Sequence, residues 1–451
     1  MLELVLGLVL IVVLYARTFW YRRLIDDKVP MSGYLYDVPQ TAPAPDFHLQ
    51  RTPAWHRVLA IGCHLFNTWL VYLLLGGKAA LLFAVFPVSV NNVAWITGSY
   101  YSCTTMLTLI AFYFVTHVVW WIGLPVAAAV YAVALNTTLA TIAFPFVFLF
   151  GAPAGFVTVV STIGFLLGKR FTTGKKIREG NFNYKKVAPD TFTVGRIAVM
   201  IKVIALYLYT AIVPLKLLFF RRFGARYRID PALKKNMDAF NGLFWASAGL
   251  ILAFILLGAA TGKLFWAMWF LVLIAAFSQY KILGQFFAER YMYPASVGIV
   301  AIFSTLPTEF YWCLVGIYVL RTHMFIPVFE NNRELYLNGI RQEDEPSNFC
   351  NLADWYMMVD RDLTLAGYYI QRNMQLDPTD YKPYMNFAAL WRILKNYPLA
   401  LENIKKAKEL AIDCAGPYIH EVIDQQMRWT QMEIDGKHAE VSKESVENAT
   451  T

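Results

Sequence analysis

Apolar stretches long enough to cross a bilayer recur from residue 2 to residue 320 of this chain, and they decide the class of fold open to it. A helix needs about 20 apolar residues to span the hydrocarbon layer. Inside that layer each backbone N–H and C=O must be satisfied within the spanning structure itself, which favours helices. The runs cover 2–16, 58–75, 79–98, 103–121, 124–134, 139–150, 156–168, 197–220, 243–258, 264–277, 295–306 and 310–320. Together they predict about eleven crossings, with one run left over. Composition agrees: 57% of residues are hydrophobic and 16% charged, where a soluble domain has about a quarter charged. Run 2–16 lacks the basic leader and small-residue cleavage site of a signal peptide, so it is expected to be a retained first helix. The expected class is an all-α integral membrane protein.

After Arg321 the apolar runs stop, and Glu, Asp, Asn and Lys appear at helical spacing. This predicts a membrane domain over 1–325, a second helical domain over 331–435 and a disordered polar tail over 436–451. Within the second domain Leu365, Ala366, Ile370 and Leu376 recur 34 residues later as Leu399, Ala400, Ile404 and Leu410. A 34-residue period with helix-turn-helix patterning is the signature of tetratricopeptide repeats (TPR), which stack into an α-solenoid. The units are expected over 351–377 and 381–412, with a capping helix over 417–434. Two units are fewer than the three or so that stand alone, so the stack is expected to lean on the membrane domain or on 331–348.

The net charge of +9 is concentrated in two connections. One holds Lys169, Arg170, Lys175, Lys176, Arg178, Lys185 and Lys186; the other holds Arg221, Arg222, Arg226, Arg228, Lys234 and Lys235. Such loops mark a cytoplasmic face or form a surface for anionic head groups and lipid-linked phosphate. The five cysteines, Cys63, Cys103, Cys313, Cys350 and Cys414, show no Cys-x-x-Cys spacing. Neither a metal site nor a disulfide framework follows from them. No nucleotide-binding glycine motif is present, and no nucleic-acid partner or cofactor is expected, a divalent metal being a secondary option.

Two acidic features stand out against the apolar background. Glu289 and Arg290 sit between apolar runs with Tyr291 and Tyr293 close by. Charges at such depth are expensive unless they pair or bind something. Either they form an internal ion pair fixing a re-entrant loop, or Arg290 uses its two-pronged guanidinium to hold phosphate oxygens. Asp26 and Asp27 closely follow the first run, in a connection that also contains Asp37, Asp46 and His48. They are either a solvated loop or the carboxylate that a hydroxyl acceptor needs to lose its proton.

The sequence Ala288-Glu289-Arg290-Tyr291-Met292-Tyr293-Pro294-Ala295-Ser296-Val297-Gly298 is similar to the Ala-Glu-Arg-Tyr-Leu-Tyr-Leu-Pro-Ser-x-Gly pattern of one enzyme family, with its proline one place early. Residues 80–87 and 93–98 resemble that family's Leu-Phe-Ala-x-His-Pro and Val-Ala-x-x-x-Gly segments, and His64 matches the second histidine of a His-x-x-Asn-x-x-x-His pattern. With repeats directly after the last span, the chain resembles the GT-C membrane glycosyltransferases that carry tetratricopeptide repeats, which are O-mannosyltransferase-like. The resemblance implies a polytopic GT-C fold that moves a sugar from a polyprenyl-phosphate donor to a protein or glycan acceptor. It implies Asp26 or Asp27 as the base, and Arg290 with Glu289, Arg221, Arg222, Lys175 and Lys176 around the donor phosphate. His64, Asn91, Asn92 and Tyr293 would line the remaining polar pocket, and the repeats would grip the acceptor.

Departures from the pattern bear on activity. Phe86 and Ser89 stand where the family has histidines, Asn91 where it has Glu, and Ser99 where it has Arg; Asn136-Thr137-Thr138 replaces Ser-Lys-Glu. The alternative is therefore a catalytically degenerate scaffold or complex subunit that binds a partner protein through its repeats. By resemblance the active face and the repeats are extracytoplasmic, in a plasma, inner or endoplasmic reticulum membrane. Charge counting argues the reverse, because the connections left in the cytoplasm hold little beyond Lys78 and Lys263.

Overall fold

A computed structural model describes residues 1–22, 24, 54–95, 98–135, 194–217, 240–278, 287–343, 346–412 and 417–436. Every regular element among the described residues is helical. They open with α1 (Leu2–Tyr15), α2 (Ala54–Leu75), α3 (Gly77–Ala84), α4 (Val90–Val93), α5 (Ser99–His117) and α6 (Trp120–Leu135). Next come α7 (Val194–Ile212), α8 (Gly242–Ala260), α9 (Leu264–Ala275), α10 (Met292–Phe303), α11 (Thr308–Phe325) and α12 (Asn332–Gln342). The series closes with α13 (Pro346–Trp355), α14 (Leu363–Leu376), α15 (Lys382–Ile393), α16 (Tyr397–Ala411) and α17 (Pro417–Ile434). Packing divides the described residues into two compact units, one ending at Leu335 and the other starting at Tyr336, within α12.

Four helical stretches of the first unit are long and apolar enough to cross a membrane: Leu2–Trp20, Ala54–Leu75, Gly242–Ala260 and Thr308–Phe329. Their outward faces are mostly apolar. On α8, Leu243, Trp245, Leu252 and Leu256 are all exposed, the surface expected of a helix that meets lipid. Run 79–98 is not one helix. It breaks after α3 into a 3-10 turn over Pro87–Ser89 and the single turn α4. Pro87 is the physical cause: its ring drives the preceding residue out of helical conformation, and Phe86 is extended at φ −65°, ψ 117°.

The centre of this unit is α10, every residue of which is buried. A helix apolar all round belongs in the interior, and α10 packs on α3, α5 and α9 while α3 also meets α1 and α2. Gly298 sets the closest of these contacts. A Cβ there would fall inside contact distance of the Trp266 backbone carbonyl on α9, so only glycine lets the two helices approach so nearly.

In the second unit each helix from α13 to α17 packs on the next. Of the recurring residues, Ala366 and Ile370 on α14 and Ala400 and Ile404 on α16 are buried. Ile404 and Ala411 form a core with Ala388 of α15 and Ile423 of α17.

Candidate functional site

Residues Glu289–Tyr291 form a 3-10 turn that runs directly into α10. Pro294 sits in the first turn of α10, where a helix does not use its N–H groups internally. Glu289 is fully buried and Arg290 is 9% exposed. Two adjacent amides hold this turn from α4: Asn91 Nδ2 donates to Glu289 Oε2 at 3.2 Å, and Asn92 Nδ2 donates to the Arg290 carbonyl at 3.1 Å. Asn92 Nδ2 also reaches the Gly98 carbonyl at 3.2 Å. Gly98 is glycine for a steric reason, since a side chain there would strike the Asn91 carbonyl.

The Arg290 guanidinium lies over two rings, 5.4 Å from the Trp95 centroid and 4.9 Å from that of Tyr291. Tyr291 in turn stacks on Phe277 at 4.1 Å and meets the edge of Tyr101 at 5.5 Å. Rings of this kind stabilise the cation by about 0.5–2 kcal/mol and keep its fork planar and oriented.

A chain of polar groups leads into this turn from α2. His64, Asn67, Thr68 and Val71 share one buried face by their three- and four-residue spacing. The Ala84 carbonyl accepts from His64 Nε2 at 3.1 Å, which leaves Nδ1 to accept from the Tyr293 hydroxyl at 2.7 Å. Tyr293 accepts from Asn67 Nδ2 at 3.2 Å, and the same amide donates to the Ser102 carbonyl at 2.9 Å. Ser102 Oγ continues the chain to the Asn92 carbonyl at 3.2 Å. Two buried acceptors in it, Asn67 Oδ1 and Asn92 Oδ1, receive no hydrogen bond from among the described residues. Arg57 joins from the same helix, fully buried, with its guanidinium donating to the Ala94 carbonyl.

Six of the residues singled out in the sequence therefore converge: Glu289, Arg290, Asn91, Asn92, His64 and Tyr293. Asp26, Asp27, Lys175, Lys176, Arg221 and Arg222 lie outside the described residues. Arg22, which leads toward the two aspartates, is anchored by its backbone N–H to the Glu330 carbonyl at 2.9 Å. At the two positions where the resembled family has histidines, the side chains serve packing. Phe86 meets the edge of Tyr318 at 5.3 Å, and Ser89 Oγ donates to the Phe86 carbonyl at 2.6 Å beside Tyr15.

Sequence reasoning missed Asn67, Arg57, Trp95 and Tyr101. Asn67 had an available signal, being three residues after His64 on the same helical face. The other three depend on how distant elements cross. Chemically, a buried guanidinium at the N-terminal end of α10 suits an anion, because helix N–H groups and the helix dipole reinforce its charge. Among the described residues no three His, Cys, Asp or Glu side chains gather as metal ligands would. No protein-family model, no curated protein and no solved structure matches this chain.

Proposed function

We propose that the chain is a membrane glycosyltransferase of the GT-C type, moving a sugar from a polyprenyl-phosphate carrier to a protein or glycan hydroxyl. The observation that carries this reading is the turn Glu289–Tyr291, where Asn91 and Asn92 fasten a buried acid and an aromatic-flanked Arg290 at the start of α10. In the reaction Asp26 or Asp27 takes the proton of the acceptor hydroxyl as its oxygen attacks the sugar's anomeric carbon. The bond to the carrier phosphate breaks, and Arg290 balances the charge left on the departing phosphate, with Arg221, Arg222, Lys175 and Lys176 contributing from the basic connections. The side-chain oxygens of Asn67 and Asn92, without a donor among the described residues, suit sugar hydroxyls. About eleven spans would carry the site. The helix pairs α13–α14 and α15–α16 would form a short tetratricopeptide stack, capped by α17, that binds the acceptor.

A second reading has its own support. Phe86, Ser89 and Asn91 occupy positions where the resembled family carries titratable groups, and Phe86 and Ser89 are built into the packing. On that reading the chain is a membrane scaffold whose repeats bind a partner protein. Transfer from a radiolabelled polyprenyl-phosphate sugar in proteoliposomes separates the two. The enzyme reading expects transfer that falls about 100-fold or more in Asp26→Asn or Asp27→Asn, the usual worth of a general base, and that also falls in Arg290→Gln. Undiminished transfer in the double aspartate variant sinks the mechanism, and absence of transfer with every donor and acceptor tried favours the scaffold.

A further inference from the structure

Cys63 on α2 and Cys103 on α5 are 40 residues apart in sequence, yet their sulfurs lie 3.5 Å from each other. Both are free thiols. A disulfide has its sulfurs about 2.05 Å apart, so bonding asks for about 1.5 Å of approach, within the reach of side-chain rotation and a small helix shift. The helices are already registered at this level. Asn67, one turn along α2 from Cys63, donates to the carbonyl of Ser102, the residue before Cys103, at 2.9 Å. The two thiols differ in access: Cys103 is partly exposed, while Cys63 is 5% exposed.

We infer that Cys63 and Cys103 are a dithiol–disulfide pair in which Cys103 meets the oxidant and Cys63 resolves it. The oxidant is a small disulfide. The Cys103 thiolate attacks one of its sulfurs, the incoming S–S bond breaks, and one half leaves as a thiolate that takes up the Cys103 proton. Cys63, giving up its own proton, then attacks the Cys103 sulfur of the mixed disulfide and expels the other half as a second thiol. Two electrons pass from the pair to the incoming disulfide, and the two protons end on the two thiols released. The new bond clasps α2 to α5 beside Asn67, which holds Tyr293, and Ser102, which holds the Asn92 carbonyl. Oxidation thus fixes the polar chain that ends at Arg290, whatever reaction that residue serves.

The test treats full-length protein in its membrane with oxidised glutathione, quenches with acid, denatures, blocks free thiols with N-ethylmaleimide and reads digested peptides by mass spectrometry. The wild type is expected to yield a linked Cys63–Cys103 peptide that dithiothreitol removes. Cys63→Ser is expected to stop with glutathione on Cys103, and Cys103→Ser to carry no adduct at Cys63. Maleimide on both wild-type cysteines overturns the pairing. So does a wild-type adduct that rests on Cys103 without an internal bond, and glutathione on Cys63 in Cys103→Ser overturns the order of attack. Because the linked wild-type peptide is decisive by itself, a variant that fails to fold leaves the pairing decided.

Discussion

An enclosed carboxyl is costly unless something stabilises its charge or lets it keep its proton. Glu289 and the half-buried Asp354 sit in different surroundings. Glu289 is fully buried and accepts from the Asn91 amide. Asp354 lies on α13 in the second unit, where burial pushes its carboxyl from the usual 3.8 up to about 7. Because the folded value is the higher one, the folded unit holds this proton more tightly than the unfolded chain does. The resulting stabilisation is complete below about pH 4 and is lost as pH rises through 7. Asp354→Asn removes the titration while keeping the shape. In thermal unfolding of the full-length protein, the variant is expected to match the wild type below about pH 4, to pull ahead of it as pH rises from 4 to 7, and to melt higher at pH 8. A wild type and variant with the same pH slope would show that Asp354 ionises normally. This shift had no signal in the sequence, since Asp354 reads as one more charge in a polar helical tail. Glu289 was legible because it interrupts apolar runs, and Asn91 was singled out by resemblance, but the pairing of the two across 198 residues was not legible.

The 34-residue period extends beyond side chains into the backbone. Arg361 and Lys395 both adopt a left-handed φ of 58°. Each precedes a cap: Asp362 Oδ1 accepts from the Leu365 N–H at 2.9 Å, and Asn396 Oδ1 from the Leu399 N–H at 3.3 Å. The same turn thus starts α14 and α16. A non-glycine residue pays about 1–2 kcal/mol for that conformation, and a lost cap costs about 1 kcal/mol. Lys395→Gly is therefore expected to slow amide hydrogen exchange in α16 about fivefold, and Asn396→Ala to quicken it by about the same factor, each corresponding to about 1 kcal/mol. Faster exchange in Lys395→Gly would show that the lysine is held there by contacts worth more than the strain. The apolar recurrence was legible because it is local and periodic. The left-handed residues were not, because neither is the glycine or asparagine that marks such turns. The break within 79–98 had its signal in Pro87, which the run of apolar neighbours masked. The meeting of Cys63 with Cys103 depends on how α2 crosses α5, and spacing carries no record of that.

For the whole molecule, membrane orientation is where two physical arguments oppose each other. The positive-inside bias would turn the basic connections at 169–186 and 221–235 toward the cytoplasm. The proposed reaction needs them on the extracytoplasmic face, where they would hold the phosphate of a lipid-linked donor. Longer connections weigh less in setting topology, and basic residues with a phosphate to bind have a reason to sit outside, so the second arrangement is expected. With a cytoplasmic N-terminus, it puts Lys263, in the short turn between α8 and α9, in the cytoplasm and Lys406, exposed on α16, outside. Single cysteines at these two positions, in a background whose native cysteines are serine, are to be probed with a membrane-impermeant thiol reagent on intact cells. Labelling at Lys406 with protection at Lys263 until the membrane is opened is the expected result. The reverse pattern would place α16 in the cytoplasm and remove the basis for an outer-face donor. The charge bias would then stand as the true determinant, and the scaffold reading would gain from it.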